Sequence, residues 1–138
     1  MSKVRPATSS SRRRRRDDRG SVSIELVILL PALFAVMFLG MQAALYHHAR
    51  TVAIAAAQEG ARAAGAETGQ AGNGVSAASA FVHQAGGDDV LLHAQANADR
   101  SATTATVTVQ GFSLSVIPGW SPRVQQSATV PVERLTSP

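Results

Sequence analysis

The sequence predicts a membrane-anchored α+β protein: a long N-terminal transmembrane helix that extends outside the membrane, then a short helix and a small antiparallel sheet. Three observations carry this reading. Leu26–Leu45 is a run of about 20 residues with no formal charge, flanked by arginines on one side and by Tyr46, His47 and His48 on the other. Alanine-rich, helix-favouring sequence continues from there to Ala66. From Val90 onward the apolar residues change from helical spacing to the alternation of strands. With 138 residues in all, this leaves room for one small domain beyond the membrane.

The elements follow in order. Residues 1–20 form a basic leader rich in Ser, Pro and Arg without apolar periodicity, a composition expected to be disordered and solvated. Eight of the thirteen basic residues lie here: Lys3, Arg5, Arg12, Arg13, Arg14, Arg15, Arg16 and Arg19. From Ser21 on, seven acidic residues face five arginines, so the high isoelectric point belongs to the leader alone. Arg12 to Arg16 and Arg19 are the topology determinants: the positive-inside rule places the N-terminus in the cytoplasm and the C-terminus outside. Such a tract beside an apolar helix serves orientation and contact with anionic lipid more often than nucleic acid, so no nucleic-acid partner is expected.

The span LVILLPALFAVMFLGMQAAL has one strongly polar side chain, Gln42. At about 1.5 Å per residue it matches a hydrocarbon core of about 30 Å. Pro31 and Gly40 are tolerated in such a segment and can bend it. A cleaved secretory signal is the main competitor, but its apolar region is usually about 7–15 residues and carries no acidic head. Tyr46, His47, His48 and Arg50 form an interfacial collar.

Past the collar, HHARTVAIAAAQEGARAAGA extends the helix, giving one continuous element from about Val22 to Ala64 within the 21–66 segment. Glu59 and Arg62 stand three apart on a polar face. Ala53, Ala57 and Ala61, with Ala56, Gly60 and Ala64, place small residues at four-residue spacing, a surface on which helix backbones can approach closely in lipid or in a bundle. Residues 67–138 make the extracytoplasmic α+β domain. Glu67 to Gly74 reads as a linker. Val75 to Gln84 reads as a helix with Val75, Ala78, Val82 and Ala85 on one side, broken by Gly86-Gly87. Leu92 to Ala98 and Thr104 to Val109 alternate as strands. After Gly111 the apolar phase flips to Phe112, Leu114 and Val116, which predicts a bulge or turn at that point. Pro118-Gly119 is a turn, and Val124 to Val132 is a third strand. Trp120, between two prolines, fits either an exposed partner-binding aromatic or the plug of a core with few aromatics.

The stretch that carries chemistry is Arg19-Gly20-Ser21-Val22-Ser23-Ile24-Glu25. A carboxylate at the head of a span is costly in lipid and marks a functional site by default. Two arrangements lower the cost: a place in the first helical turn, where the macrodipole favours negative charge, or a cation supplied by a neighbour. Cleavage after Gly20 would create such a cation, the new α-amino group of Ser21.

These residues resemble a type III, prepilin-type leader: basic residues, then Gly, with Glu fifth after the cut and an apolar helix following. The run from Arg19 to Ala66, with Glu-Leu-Val, Pro31 and AAAQEGARAA, is similar to the TadE-like family of tight-adherence (Tad) pilus assembly proteins. The resemblance implies cleavage between Gly20 and Ser21 by a prepilin peptidase, and a role for Glu25 as the assembly carboxylate that pairs with a neighbour's N-terminus. It implies a minor pseudopilin of the bacterial inner membrane, with the pilus as a second location, because the domain after residue 66 exceeds the very short major pilins. The implied partners are membrane lipid, the prepilin peptidase, the Tad inner-membrane platform proteins, and other pseudopilins or pilin subunits, with the motor ATPase acting through the platform. Ser21 departs from the large apolar residue that many type IV pilins place at the mature N-terminus. The alternative is an uncleaved, single-span, membrane-anchored binding module.

No enzyme is expected. The adjacent His47 and His48 point about 100° apart on a helix and do not form a ligand pair. His83 and His93 have no ligand pattern around them, and there is no cysteine, so no metal site and no cofactor is predicted. No phosphate-binding Gly-rich loop ending in Lys-Ser/Thr and no nucleophile elbow occurs.

Overall fold

The computed structural model describes residues 18–134, with side chains from Ser23 onward. It is α+β, in the order α1 (Asp18–Gly65), α2 (Ala71–Gln84), a 3-10 turn at Gly87–Asp89, β1 (Leu91–Arg100), β2 (Thr104–Ser113) and β3 (Arg123–Pro131). Two compact units divide the chain, Met1–Ala35 and Val36–Pro138, so the second includes the C-terminal part of α1. Arg12 to Arg16 lie outside the described residues. Asp18, Arg19 and Gly20, assigned above to a disordered leader, are helical, so α1 starts earlier than the expected Val22.

In the first unit the apolar side chains Ile24, Leu26, Val27, Ile28, Leu29, Leu30, Leu33 and Phe34 are all exposed. Helix α1 is long and apolar enough to cross a membrane, and none of its most apolar window is buried. Pro31 lies inside α1 without ending it. This fits a single-pass membrane anchor, because a surface so apolar needs a solvent other than water.

In the second unit α1 changes character. Gln42, Ala49, Val52, Ala53, Ala56, Ala57, Gly60, Ala61 and Ala64 are buried at three- and four-residue steps, one stripe along the helix. The small-residue surface read from the sequence is thus the face that packs against the chain's own domain. Gly60 and Gly74 mark the closest approach. A Cβ on Gly60 would lie 2.6 Å from the Gly74 carbonyl oxygen, and one on Gly74 would lie 2.9 Å from the Gly60 oxygen. The Glu59–Arg62 pair forms at 3.2 Å on the exposed side, where such a pair contributes little.

The linker expected over Glu67 to Gly74 is shorter than that. Helix α2 begins at Ala71, because Asn73 caps it, with the Gln70 N–H donating to Asn73 Oδ1 at 2.8 Å and the Asn73 N–H to the Gln70 carbonyl at 3.0 Å. Gly74, read as linker, is buried inside the helix. Ala78 and Val82 are buried as expected.

The sheet is an antiparallel meander, β1-β2-β3, an order the sequence left open. Strand β2 is central and alternates strictly: Ala105, Val107, Val109, Gly111 and Ser113 point inward. The opposite face is a ladder of polar pairs, Thr106 with Thr129 at 2.8 Å and Thr108 with Ser127 at 3.1 Å. The bulge expected after Gly111 lies on the partner strand instead. The β1–β2 register shifts between Leu92 and Gln95, opposite Gly111, and β2 runs through without a break. Gly111 is bare because Leu91 fills its place, with a Cβ there falling 2.8 Å from Leu91 Cγ. At the bulge His93 takes φ 52°, and its N–H donates to Asp88 Oδ1 at 3.2 Å.

Candidate functional site

Each unit holds a candidate site of its own. In the first unit, Gly20 and Ser21 lie within α1 and are helical in backbone. Glu25 is exposed and stands at least seven residues inside the helix, since α1 is already formed at Asp18. The macrodipole acts mainly within the first turn, so in the intact chain it does not reach Glu25. The first of the two arrangements considered above therefore fails for the uncleaved protein. Arg19 lies in the same helix, six residues before Glu25.

In the second unit, the polar residue that interrupts the apolar run finds a purpose. Gln42 is 3% exposed and binds the segment between β2 and β3. Its Oε1 accepts from the Val116 N–H at 2.9 Å and from Ser115 Oγ at 3.0 Å, and its Nε2 donates to the Leu114 carbonyl at 3.3 Å. Every polar atom of the amide is therefore engaged. The loop carries its own support. Ser115 Oγ accepts from the Ile117 N–H at 3.0 Å, its single proton has the Ile117 carbonyl, also at 3.0 Å, as an alternative acceptor to Gln42 Oε1, and Ser113 N–H donates to the Pro122 carbonyl at 2.9 Å. Ile117-Pro118-Gly119-Trp120 closes as a type II turn, with Gly119 at φ 76° and Trp120 N–H donating to Ile117 oxygen at 3.3 Å.

The turn leaves Trp120 51% exposed, which overturns the core-plug reading. Leu39, Gln42, Ala43 and Tyr46 of α1 face Trp120, Pro122 and Arg123 across a groove of about 490 Å³. Arg123 lies over the Phe112 ring, 5.7 Å from its centroid. Sequence reasoning noticed Gln42 as the lone strongly polar side chain of the run but not its partners, which are more than seventy residues away.

A second concavity, of about 290 Å³, has His83, Asp88 and His93 in its lining. Among the described residues no group of three or more His, Asp or Glu is placed to hold a metal ion. His47 and His48 are exposed, and the His47 ring meets Tyr46 edge-on at 6.1 Å.

Replacing Gln42 by leucine is expected to leave the Val116 N–H without its partner and the Leu114 carbonyl with Ser113 Oγ alone, at about 1–3 kcal/mol. The check is the thermal midpoint of the detergent-solubilised chain, which should fall by roughly 5–10 °C. Limited proteolysis should in addition cut first within residues 114–122.

Among protein families, residues 20–62 match the family model described as TadE-like protein. That stretch lies inside the Arg19–Ala66 run on which the resemblance was read. The comparison with curated proteins finds no match, and the comparison with solved structures finds none.

Proposed function

From the TadE-like segment at residues 20–62, we propose that this chain is a minor pseudopilin or assembly protein of a Tad-type pilus, processed by prepilin peptidase and assembled through its N-terminal helix. The observation that carries the reading is the family match, which begins at Gly20 and takes in Glu25 and the exposed apolar face of α1. The role is structural, not catalytic. The helix is inserted with its arginine-rich end in the cytoplasm and its α+β domain outside the bacterial inner membrane. Its partners are lipid, the peptidase, the platform proteins and neighbouring pilin-like helices.

Processing has a specific electrostatic consequence. With α1 helical from Asp18, Glu25 is remote from the dipole, which does not offset its cost in lipid. Removal of residues 1–20 brings the helix N-terminus to Ser21, four residues from Glu25 on the same helical face. The new ammonium then lies within reach of this carboxylate or of a neighbour's. Cleavage thus converts a costly charge into half of a pair.

Two measurements test the proposal. Intact mass or N-terminal sequencing of membrane-extracted protein is expected to give a chain starting at Ser21; a chain starting at Met1 or Ser2 would rule out processing. Glu25→Ala is expected to abolish piliation while insertion into the membrane stays normal. Normal piliation with this variant would favour the uncleaved binding module instead.

A further inference from the structure

We propose that the groove between α1 and the 114–123 segment seats in the interfacial layer of the bilayer, where the upper part of a phospholipid on the domain's side fills it. The proposal rests on the reading of α1 as a membrane span. Three independent features lead to it.

The first is length. The uncharged run reaches Leu45, three residues past Gln42, to which the loop is tied. All of its roughly 20 residues are needed to match a hydrocarbon core of about 30 Å. A loop held wholly in water would withdraw the last turn of the run from the span. A loop resting at the boundary keeps it.

The second is the chemistry of the loop. Gly111 to Pro122 contains no formal charge. Val116 and Ile117 are half-buried, while Pro118 and Trp120 are exposed. Irregular backbone is tolerated near lipid only where its polar groups are satisfied internally. Here the Leu114 carbonyl, the Val116 and Ile117 N–H groups, the Ile117 and Pro122 carbonyls and the Trp120 N–H all have partners within the chain.

The third is the mix of side chains that line the groove. Leu39 and Ala43 are apolar, Tyr46 and Trp120 are residues of the kind enriched at the headgroup level, and Arg123 is an exposed cation. Apolar, aromatic and cationic groups in one groove match an acyl chain that ends in a phosphate. The uncharged Leu26–Leu45 run of a neighbouring copy would suit the apolar residues but offers Arg123 no counter-charge.

The chain contains one tryptophan, so Trp120 reports on this groove without a label. The full chain is reconstituted into vesicles of phosphatidylcholine and phosphatidylglycerol and recovered by flotation. The expected result is blue-shifted Trp120 emission, shielded from acrylamide and quenched roughly twofold by lipids brominated near the top of their acyl chains. Flotation with water-like, unquenched emission overturns this proposal alone. Shielding from acrylamide without quenching by brominated lipid also overturns it, since protein then covers the groove. Failure to float overturns the membrane-span reading and this proposal with it.

Discussion

Replacing Gly60 by alanine is expected to destabilise the Val36–Pro138 unit by about 2 kcal/mol, lowering its thermal midpoint by roughly 10 °C. Two opposing effects decide the sign. Alanine favours a helix over glycine by about 1 kcal/mol, and an exposed glycine in α1 would gain that amount. At Gly60 the added Cβ would stand 2.6 Å from the Gly74 carbonyl oxygen, 2.9 Å from Val107 Cγ1 and 3.0 Å from Ala78 Cβ. The nearest of these is backbone and belongs to a capped helix, so it cannot turn aside as a flexible side chain would. α1 and α2 must separate, and the buried contacts of Ala64, Ala78 and Val107 loosen together. Gly40, exposed and with nothing within 4 Å of an added Cβ, is the internal control: the same substitution there should raise this unit's midpoint by a few degrees and not lower it. Gly74→Ala should resemble Gly60→Ala, and the double variant should cost less than the sum, since the first separation relieves the second clash. Circular dichroism of the detergent-solubilised chain measures all four.

Replacing Arg100 by methionine is expected to cost a similar or larger amount, about 2–3 kcal/mol. A helix ends with carbonyls that no residue of the helix can satisfy, and they carry the negative end of its dipole. At the end of α1 the Arg100 guanidinium supplies a donor to the Ala64 carbonyl and grips the turn that follows. Its Nη1 donates to the Ala64 carbonyl and to that of Ala66 at 2.8 Å, and its Nη2 reaches the Glu67 carbonyl at 3.4 Å. One side chain from the last position of β1 thus closes α1 and ties the sheet to it. Methionine keeps the apolar stem and removes only the donors. Lysine keeps the charge, but a single ammonium cannot reproduce a planar fork aimed at several carbonyls, so Arg100→Lys should recover less than half of the loss. Faster amide exchange at the C-terminal turn of α1 in Arg100→Met, with α2 much less affected, would separate loss of the cap from general unfolding.

The elements differ in how far the sequence reveals them. The span was legible because hydrophobicity and flanking charge are local and need no partner. The stripe Ala53, Ala57, Ala61 was legible as a close-packing surface, but what it packs against was not. Small residues at that spacing serve a lipid-embedded helix pair and an intramolecular α2 equally well. The start of α2 was misplaced because two glycines argue for a linker, whereas the Gln70–Asn73 cap and the contact of Gly74 with Gly60 override that preference. Near Gly111 the expected irregularity exists but sits in the opposite strand. A change of apolar phase shows that the pairing is disturbed and not which chain carries the extra residue.

For the candidate site the division is similar. Gly20, Ser21 and Glu25 with the arginines before them could be named from residue order alone, and their spacing along a helix follows from its pitch. The sequence by itself therefore determined the apolar helix, its charged head and the change from helical to strand periodicity, because each depends on neighbours within a few turns. Only the tertiary structure decided that the stripe of small residues is spent on the chain's own domain, that Arg100 closes α1, and that Gln42 holds the loop carrying Trp120. The Arg100 and Gln42 contacts join residues 33 to 74 positions apart, and no local periodicity encodes which distant partner a buried amide or an unclosed helix end will find.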